Sequence, residues 1–200
     1  MCVSFEASVI AFMIGEVSGY LLFQSKNIIY KAFGLFVMWY SLVQLAEAFI
    51  YKNYNVMLAS KLLLFNLFTQ GVVLALLLHR YNIADSKLIL ILMSLIAVYG
   101  TYKICQSNFE SAIISRDSSS CGKMEWPFIK GNNGKVLIAM YSLLLYMLLT
   151  HENRQINDIG KYFLATLILS YIIPMKNSPS VWCYSSALVA PYLVYLSKKT

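Results

Sequence analysis

Residues 28–51 read IIYKAFGLFVMWYSLVQLAEAFIY, and this stretch decides the fold class. It is long enough to cross a bilayer as a helix, which takes roughly 17–25 mostly apolar residues. Its second half carries a carboxylate, Glu47, with Gln44 one helical turn before it. A charge at the centre of a membrane helix costs ~2.5–3.5 kcal/mol, so we expect Glu47 to face other protein. The stretch therefore predicts a membrane protein with a polar site in its interior.

The composition of the 200-residue chain points to the same class of protein. Hydrophobic residues make up 59% of the chain and charged residues 12%, about half the ~25% that is typical of soluble domains. We predict a single transmembrane domain over residues 1–200. The net charge of +7 comes from Lys and Arg scattered between apolar segments. No basic face or motif accompanies this charge, so we expect contact with the lipid bilayer and no nucleic-acid partner.

Seven mostly apolar segments predict an all-α fold, a bundle of seven transmembrane helices. The backbone of a membrane span must satisfy its own hydrogen bonds, which favours helices, and the sequence lacks the alternating pattern of a β-barrel. A polar loop at 105–134 separates the fourth segment from the fifth. The predicted helices are about 3–23, 28–51, 55–78, 88–104, 135–150, 161–175 and 181–197.

The charges around the first segment predict the orientation of this multi-pass integral membrane protein. No basic residue precedes the segment, whereas Lys26 and Lys31 follow it. Because basic residues favour the cytoplasmic side, the N terminus is predicted to lie outside. Seven spans then place the C terminus in the cytosol. The total of Lys and Arg, which is equal on the two sides, does not strengthen this prediction.

All four cysteines fall on the predicted outer side, which is the oxidising side of ordinary membranes. Cys105 and Cys121 bracket a polar segment and could close it with a disulfide. Cys2 and Cys183 would then join the N terminus to the start of the seventh helix. Four cysteines allow three connectivities, and four free buried thiols are the alternative.

The helix directions bring three polar regions to the same predicted depth, in the outer half of the bundle. These regions are the start of the first helix, the second half of the second helix and the start of the seventh. The predicted ligand or ion site consists of Glu47, Gln44, Glu6, Ser4 and Trp182. For Gln44, and for the Asn66 and Gln70 pair on the third helix, the alternative role is hydrogen bonding between helices. For Glu6, the alternative is a solvated carboxylate at the membrane surface.

Two further features concern packing within the membrane. Gly15 and Gly19 form a small-x-x-x-small pattern that lets a second helix approach closely, and we expect packing within the chain rather than dimerisation. Lys61 could pair with Glu47, or its side chain could extend to the membrane surface.

Several kinds of functional site are excluded because the sequence lacks the residues or motifs that they need. The two histidines, His79 and His151, fall in predicted connections, so a haem held by two histidines or a zinc site within the membrane is not expected. The sequence contains no ion-channel filter, P-loop, nucleophile elbow or kinase signature. We therefore predict no metal, no cofactor and no catalytic residues.

Short motifs along the chain resemble those of a family of short, uncharacterised membrane proteins from bacteria and large DNA viruses. Such proteins open with Met-Cys-Phe-Ser, carry Gln-x-x-Glu in the second helix and often show Trp-Cys near the start of the last. The matching residues are Met1-Cys2-Val3-Ser4, Gln44-Leu45-Ala46-Glu47 and Trp182-Cys183, with Val3 in place of Phe. The resemblance implies a seven-helix bundle and no established activity.

Three functions remain open from the sequence. The first is a non-catalytic structural or assembly component of a cell or viral membrane, acting with further copies of itself or with another membrane protein. The second is a channel or transporter with an outer-side polar cavity around Glu47. The third is a membrane enzyme that uses Cys2 or Cys183. Fold alone does not choose between them.

Overall fold

The computed structural model describes residues 4–83, 87–106, 108–116, 122–129, 131–172 and 189–199, and these residues are mostly helical. Within these residues the structure gives bounds for six helices, and a further helix, α7, covers residues 189–197. The other part of the predicted span 181–197 lies outside the described residues. The six helices are α1 (Phe5–Phe23), α2 (Ile28–Tyr51), α3 (Val56–Arg80), α4 (Lys87–Ile104), α5 (Asn132–Leu149) and α6 (Arg154–Ile172).

Five helices, α1 to α5, are long and apolar enough to cross a membrane. They are compatible with the predicted integral membrane protein. The sixth helix is less apolar because its first two turns carry Arg154, Asp158 and Lys161. Lys161 donates a hydrogen bond to Asp158 and holds the pKa of that carboxyl below its usual value. The sixth and seventh membrane spans therefore remain predictions.

Asparagine and serine side chains begin the first three helices. Ser4 Oγ accepts a hydrogen bond from Ala7 N at 3.2 Å, and Asn27 Oδ1 accepts one from Ile29 N at 2.9 Å. Asn55, whose backbone is left-handed with φ 41°, caps α3 in the same way. Such caps satisfy backbone N–H groups that the first turn of a helix leaves without partners. They allow α1, α2 and α3 to follow one another through short turns.

Contacts between connections show that the helices alternate in direction. Asn27 Nδ2 donates to Gln155 Oε1 at 3.1 Å, and His151 Nε2 lies 3.1 Å from Ile83 O. These contacts bring the α1–α2, α3–α4 and α5–α6 connections to one end of the bundle, which we call the Asn27 end.

The opposite end, which we call the Tyr51 end, contains the start of α1 and the end of α2. Lys52 Nζ lies 4.4 Å from the centre of the Phe5 ring. The loop after α4 returns to the same end, where Ala112 N donates to Ser60 Oγ at 2.9 Å. The start of α1 and the second half of α2 therefore lie at the same depth, as the sequence predicted.

Glycines bring α1 and α2 into backbone contact. A Cβ atom built on Gly34 would lie 2.5 Å from Phe23 N and 2.6 Å from Gly19 O. A Cβ atom on Gly15 would lie 2.5 Å from Ser41 Cβ. Because the glycine faces are filled by the neighbouring helix of the same chain, the expectation of packing within the chain is confirmed.

The polar loop 105–134 contains structure that the sequence analysis did not predict. Strands β1 (Ile113–Arg116) and β2 (Gly122–Glu125) pair antiparallel, with Ile113 opposite Glu125. A short 3₁₀ turn at Pro127–Ile129 follows. The loop is therefore a folded cap on the Tyr51 end, attached through the Ala112–Ser60 hydrogen bond.

Stacked aromatic rings fill the space under this cap. The rings of Trp126 and Phe128 are stacked with centroids 6.2 Å apart, and Phe109 stacks on Phe128 at 5.6 Å. Trp126 and Phe128 are both buried. Lys61 Nζ lies 5.7 Å from the Phe109 ring, which places Lys61 beneath the loop.

Two predicted helix starts were too late. α5 begins at Asn132 rather than near 135, because the Asn133 side chain forms two hydrogen bonds that hold the first turn of the helix in place. Asn133 Nδ2 donates to Phe128 O, and Asn133 Oδ1 accepts from Tyr99 OH, both at 2.9 Å. α6 begins at Arg154 rather than near 161, because a helix can extend through charged turns before it reaches an apolar environment.

Candidate functional site

The face of α2 that carries Glu47 is buried. Gln44 is 1% exposed and Glu47 is 0% exposed. This burial confirms the expectation that Glu47 faces protein rather than lipid. Residues four and three positions apart on a helix lie on one face. We name four such residues the α2 stripe: Tyr40, Gln44, Glu47 and Tyr51.

Aromatic and leucine side chains surround the α2 stripe at its Tyr40 end. Phe36, one turn before Tyr40 on the same face, meets Phe163 of α6 with ring centroids 6.3 Å apart. A small pocket of about 30 Å³ lies at this level, lined by Phe36, Tyr40 and Phe163 together with residues of α3 and α5. The α2 stripe therefore runs from this apolar pocket to the Tyr51 end.

The side-chain amide of Gln44 is buried without a hydrogen-bond partner among the described residues. Both Gln44 Nε2 and Gln44 Oε1 are inaccessible to solvent, and neither has a donor or acceptor in that part of the chain. The Tyr51 hydroxyl is likewise buried without a hydrogen-bond partner among the described residues. The alternative role predicted for Gln44, a hydrogen bond between helices, therefore has no support from the described residues.

The other buried amides form a continuous chain of hydrogen bonds across three helices. Asn66 Nδ2 on α3 donates to Trp39 O on α2 at 2.7 Å. Gln70 Nε2 donates to Asn66 Oδ1 at 2.8 Å, and Gln70 Oε1 accepts from Tyr141 OH on α5 at 2.6 Å. The alternative role predicted for Asn66 and Gln70, hydrogen bonding between helices, is confirmed.

The remaining predicted site residues are not brought together with Gln44 and Glu47 by any described contact. Ser4 Oγ accepts the capping hydrogen bond of its own helix, and Glu6 is exposed. Trp182 lies outside the described residues. Of the predicted site residues, Gln44 and Glu47 share one buried face of α2, and the membership of Ser4, Glu6 and Trp182 remains a prediction.

A second carboxyl among the long apolar helices, Glu16 of α1, has a partner that the sequence analysis missed. Ser41 Oγ donates to Glu16 Oε1 at 2.5 Å and also lies 2.9 Å from Met38 O. Ser41 is buried on the face of α2 that meets Gly15 of α1. The regular spacing of small residues on α1 was the signal that could have placed Glu16 beside α2.

The structure describes one of the four cysteines. Cys105 is exposed just after α4 and forms no disulfide within the described residues. Cys2, Cys121 and Cys183 lie outside the described residues. The pairing of Cys2 with Cys183 remains a prediction, as does the pairing of Cys105 with Cys121.

Comparison with known proteins adds no identification. No family model matches the chain, and no match was found among curated proteins or solved structures. The resemblance to short seven-helix membrane proteins therefore remains a prediction. Within the described residues, no three side chains of His, Cys, Asp or Glu are grouped so that they could hold a metal ion.

Proposed function

We propose that this chain is a non-catalytic structural or assembly component of a cell or viral membrane. The observation that carries the proposal is the hydrogen-bond chain from Trp39 through Asn66 and Gln70 to Tyr141. Its polar groups join α2, α3 and α5, and each such bond within a membrane stabilises the protein by roughly 0.6–1.7 kcal/mol. Interior polar groups that fasten helices together favour a fixed scaffold.

The surface of α4 supports a role in assembly. Within α4, Met93 and Gly100 are the buried residues, so this helix contributes little to the core. The exposed positions of α4 are mainly apolar, and they include Leu88, Ile91, Leu95, Val98 and Tyr102. Lipid, a second copy or another membrane protein must cover such a surface, because water would not. In this proposal the chain crosses the membrane seven times, with its N terminus outside and its C terminus in the cytosol.

The assembly role is tested by native mass spectrometry of the protein extracted from its own membrane in nanodiscs. We expect a fixed stoichiometry with a second membrane protein or with further copies. Leu95→Trp on α4 should abolish that stoichiometry, because the larger ring disturbs a packed contact but remains apolar. Ile10→Trp, an exposed apolar position on α1, is the matched control and should leave it intact. A monomer in every preparation would contradict the proposal.

A channel or transporter is the second candidate, and the unpaired Gln44 amide beside Glu47 favours it. In liposomes, such a protein should give a flux of protons or monovalent cations that Glu47→Gln lowers at least about tenfold, because the charge-bearing group is lost. Glu16→Gln is the matched control, since Glu16 is also a carboxyl on a membrane helix. A flux that Glu47→Gln leaves unchanged would remove Glu47 from the conducting path.

The third function, a membrane enzyme using Cys2 or Cys183, gains no support from the described residues. Both cysteines lie outside them.

A further inference from the structure

Two glutamines in the core of the bundle differ in one respect. Gln44 and Gln70 are both almost fully buried, at 1% and 0% exposure. Gln70 donates to Asn66 and accepts from Tyr141, so both ends of its amide are satisfied within the chain. Gln44 has neither kind of partner among the described residues. The difference therefore lies in hydrogen bonding and not in burial.

A buried amide with both ends unpaired has a definite chemical requirement. Its oxygen needs a donor and its NH₂ group needs an acceptor. Leaving a buried polar group without a partner costs about 1–3 kcal/mol, and folded proteins commonly satisfy such groups with ordered water. Water both donates and accepts, and it is small enough for a packed interior. The chemistry of Gln44 therefore selects water as its ligand.

The α2 stripe supplies a polar route for this water in one direction. Glu47 follows Gln44 by three positions, and Tyr51 follows Glu47 by four, so the three side chains share one face of the helix. The distance along the helix from Gln44 to Tyr51 is about 10 Å at the rise of an α-helix. The Tyr51 hydroxyl is also buried without a described partner, and the next residue, Lys52, is exposed at the helix end. Polar side chains therefore extend along α2 from Gln44 to the last residue of the helix, next in sequence to an exposed position at the Tyr51 end.

The opposite direction is apolar. Below Tyr40, the pocket is bounded by Phe36, Phe163 and the leucine side chains of α3 and α5. The Tyr141 ring also borders it, but its hydroxyl is bonded to Gln70. Small cavities lined by apolar groups stay dry. Among the described residues, this pocket therefore gives water at Gln44 no polar route toward the Asn27 end.

We propose that Gln44 is the inner end of a buried water site that opens at the Tyr51 end of the bundle and brings water to the Glu47 carboxyl from that side alone. The ligand is water itself, held between the Gln44 amide and the polar groups of the α2 stripe. The inference does not depend on the assembly role. Under the channel hypothesis, this site would be one half of the path, closed by the apolar layer at Phe36.

Water-edited solid-state NMR of the full chain in liposomes tests the site directly. With labelled glutamine and phenylalanine, magnetisation from water is followed into the Gln44 side-chain amide. Gln24, which is exposed, is the positive reference, and Gln70 is the buried control. We expect Gln44 to receive water magnetisation as fast as Gln24 and several-fold faster than Gln70. Transfer of water magnetisation to the Phe36 ring should be as slow as transfer to the Gln70 amide.

Either of two results would overturn the proposal. If magnetisation reaches the Gln44 amide as slowly as it reaches Gln70, no water lies at the Gln44 amide. If it reaches the Phe36 ring as fast as it reaches Gln44, the site is not closed at its inner end. The measurement uses the wild-type protein, with Gln44→Leu and Gln70→Leu serving to assign the two signals. Sequential backbone assignment takes their place where a variant does not fold.

Discussion

Gly34→Ala is expected to lower the free energy of unfolding by about 3 kcal/mol, since overpacking a tight core has costs of this size. The added methyl group would meet the backbone atoms Phe23 N and Gly19 O at 2.5 and 2.6 Å. Backbone atoms cannot rotate away, so α1 must move off α2. Unfolding by denaturant in detergent micelles or bicelles, followed by tryptophan fluorescence, measures the loss.

Gly71→Ala is the matched control for this prediction. Gly71 is also a buried glycine within a membrane helix, but the nearest atom to its added Cβ would be Met93 Sδ at 2.6 Å. Methionine side chains are flexible and can shift to make room. We therefore expect a much smaller loss of stability than for Gly34→Ala. Equal losses in the two variants would show that backbone contact between α1 and α2 is not the cause.

Asn66→Leu is expected to lower the free energy of unfolding by about 2–3 kcal/mol, because it removes two hydrogen bonds and leaves the buried NH₂ group of Gln70 without its acceptor. Asn66 donates to Trp39 O and accepts from Gln70 Nε2, so the substitution breaks the link between α2 and α3. The same denaturant unfolding measures the loss. The double variant Asn66→Leu with Gln70→Leu should lose less than the sum of the two single variants, since both partners of one bond are then apolar.

Gln44→Leu is the control for the hydrogen-bond chain. It removes a carboxamide group of nearly the same burial as that of Asn66, and no hydrogen bond to a described residue is lost. We expect a smaller loss than for Asn66→Leu. A loss as large as that of Asn66→Leu would mean that burial of an amide, rather than its bonds between helices, determines the effect.

The sequence predicted α2 well because two signals agree there. The apolar run at 28–51 is as long as a membrane span requires, and the cost of a charge in lipid requires Glu47 to be covered. The same reasoning placed the start of α1 and the end of α2 at one depth. These predictions depend on local pattern and on general physical chemistry, which a single sequence contains.

The features that were missed depend on contacts between distant residues. Strands β1 and β2 have four residues each, too short for a periodic signal, and Ala112 and Ser60 attach the hairpin to the bundle. The sequence likewise could not distinguish Gln44 from Gln70. Whether a buried amide finds a partner depends on which side chain of another helix reaches it, as Tyr141 reaches Gln70.

The contact between α2 and α6 has a consequence for the order of synthesis. Asn27 and Gln155, which join the starts of these helices, are 128 positions apart. A ribosome therefore makes 102 residues between the end of α2 at Tyr51 and the start of α6 at Arg154. During that interval, α2 lacks both the Asn27–Gln155 hydrogen bond and the ring contact between Phe36 and Phe163. We expect the insertion machinery or a membrane chaperone to retain α2 until α6 has been translated.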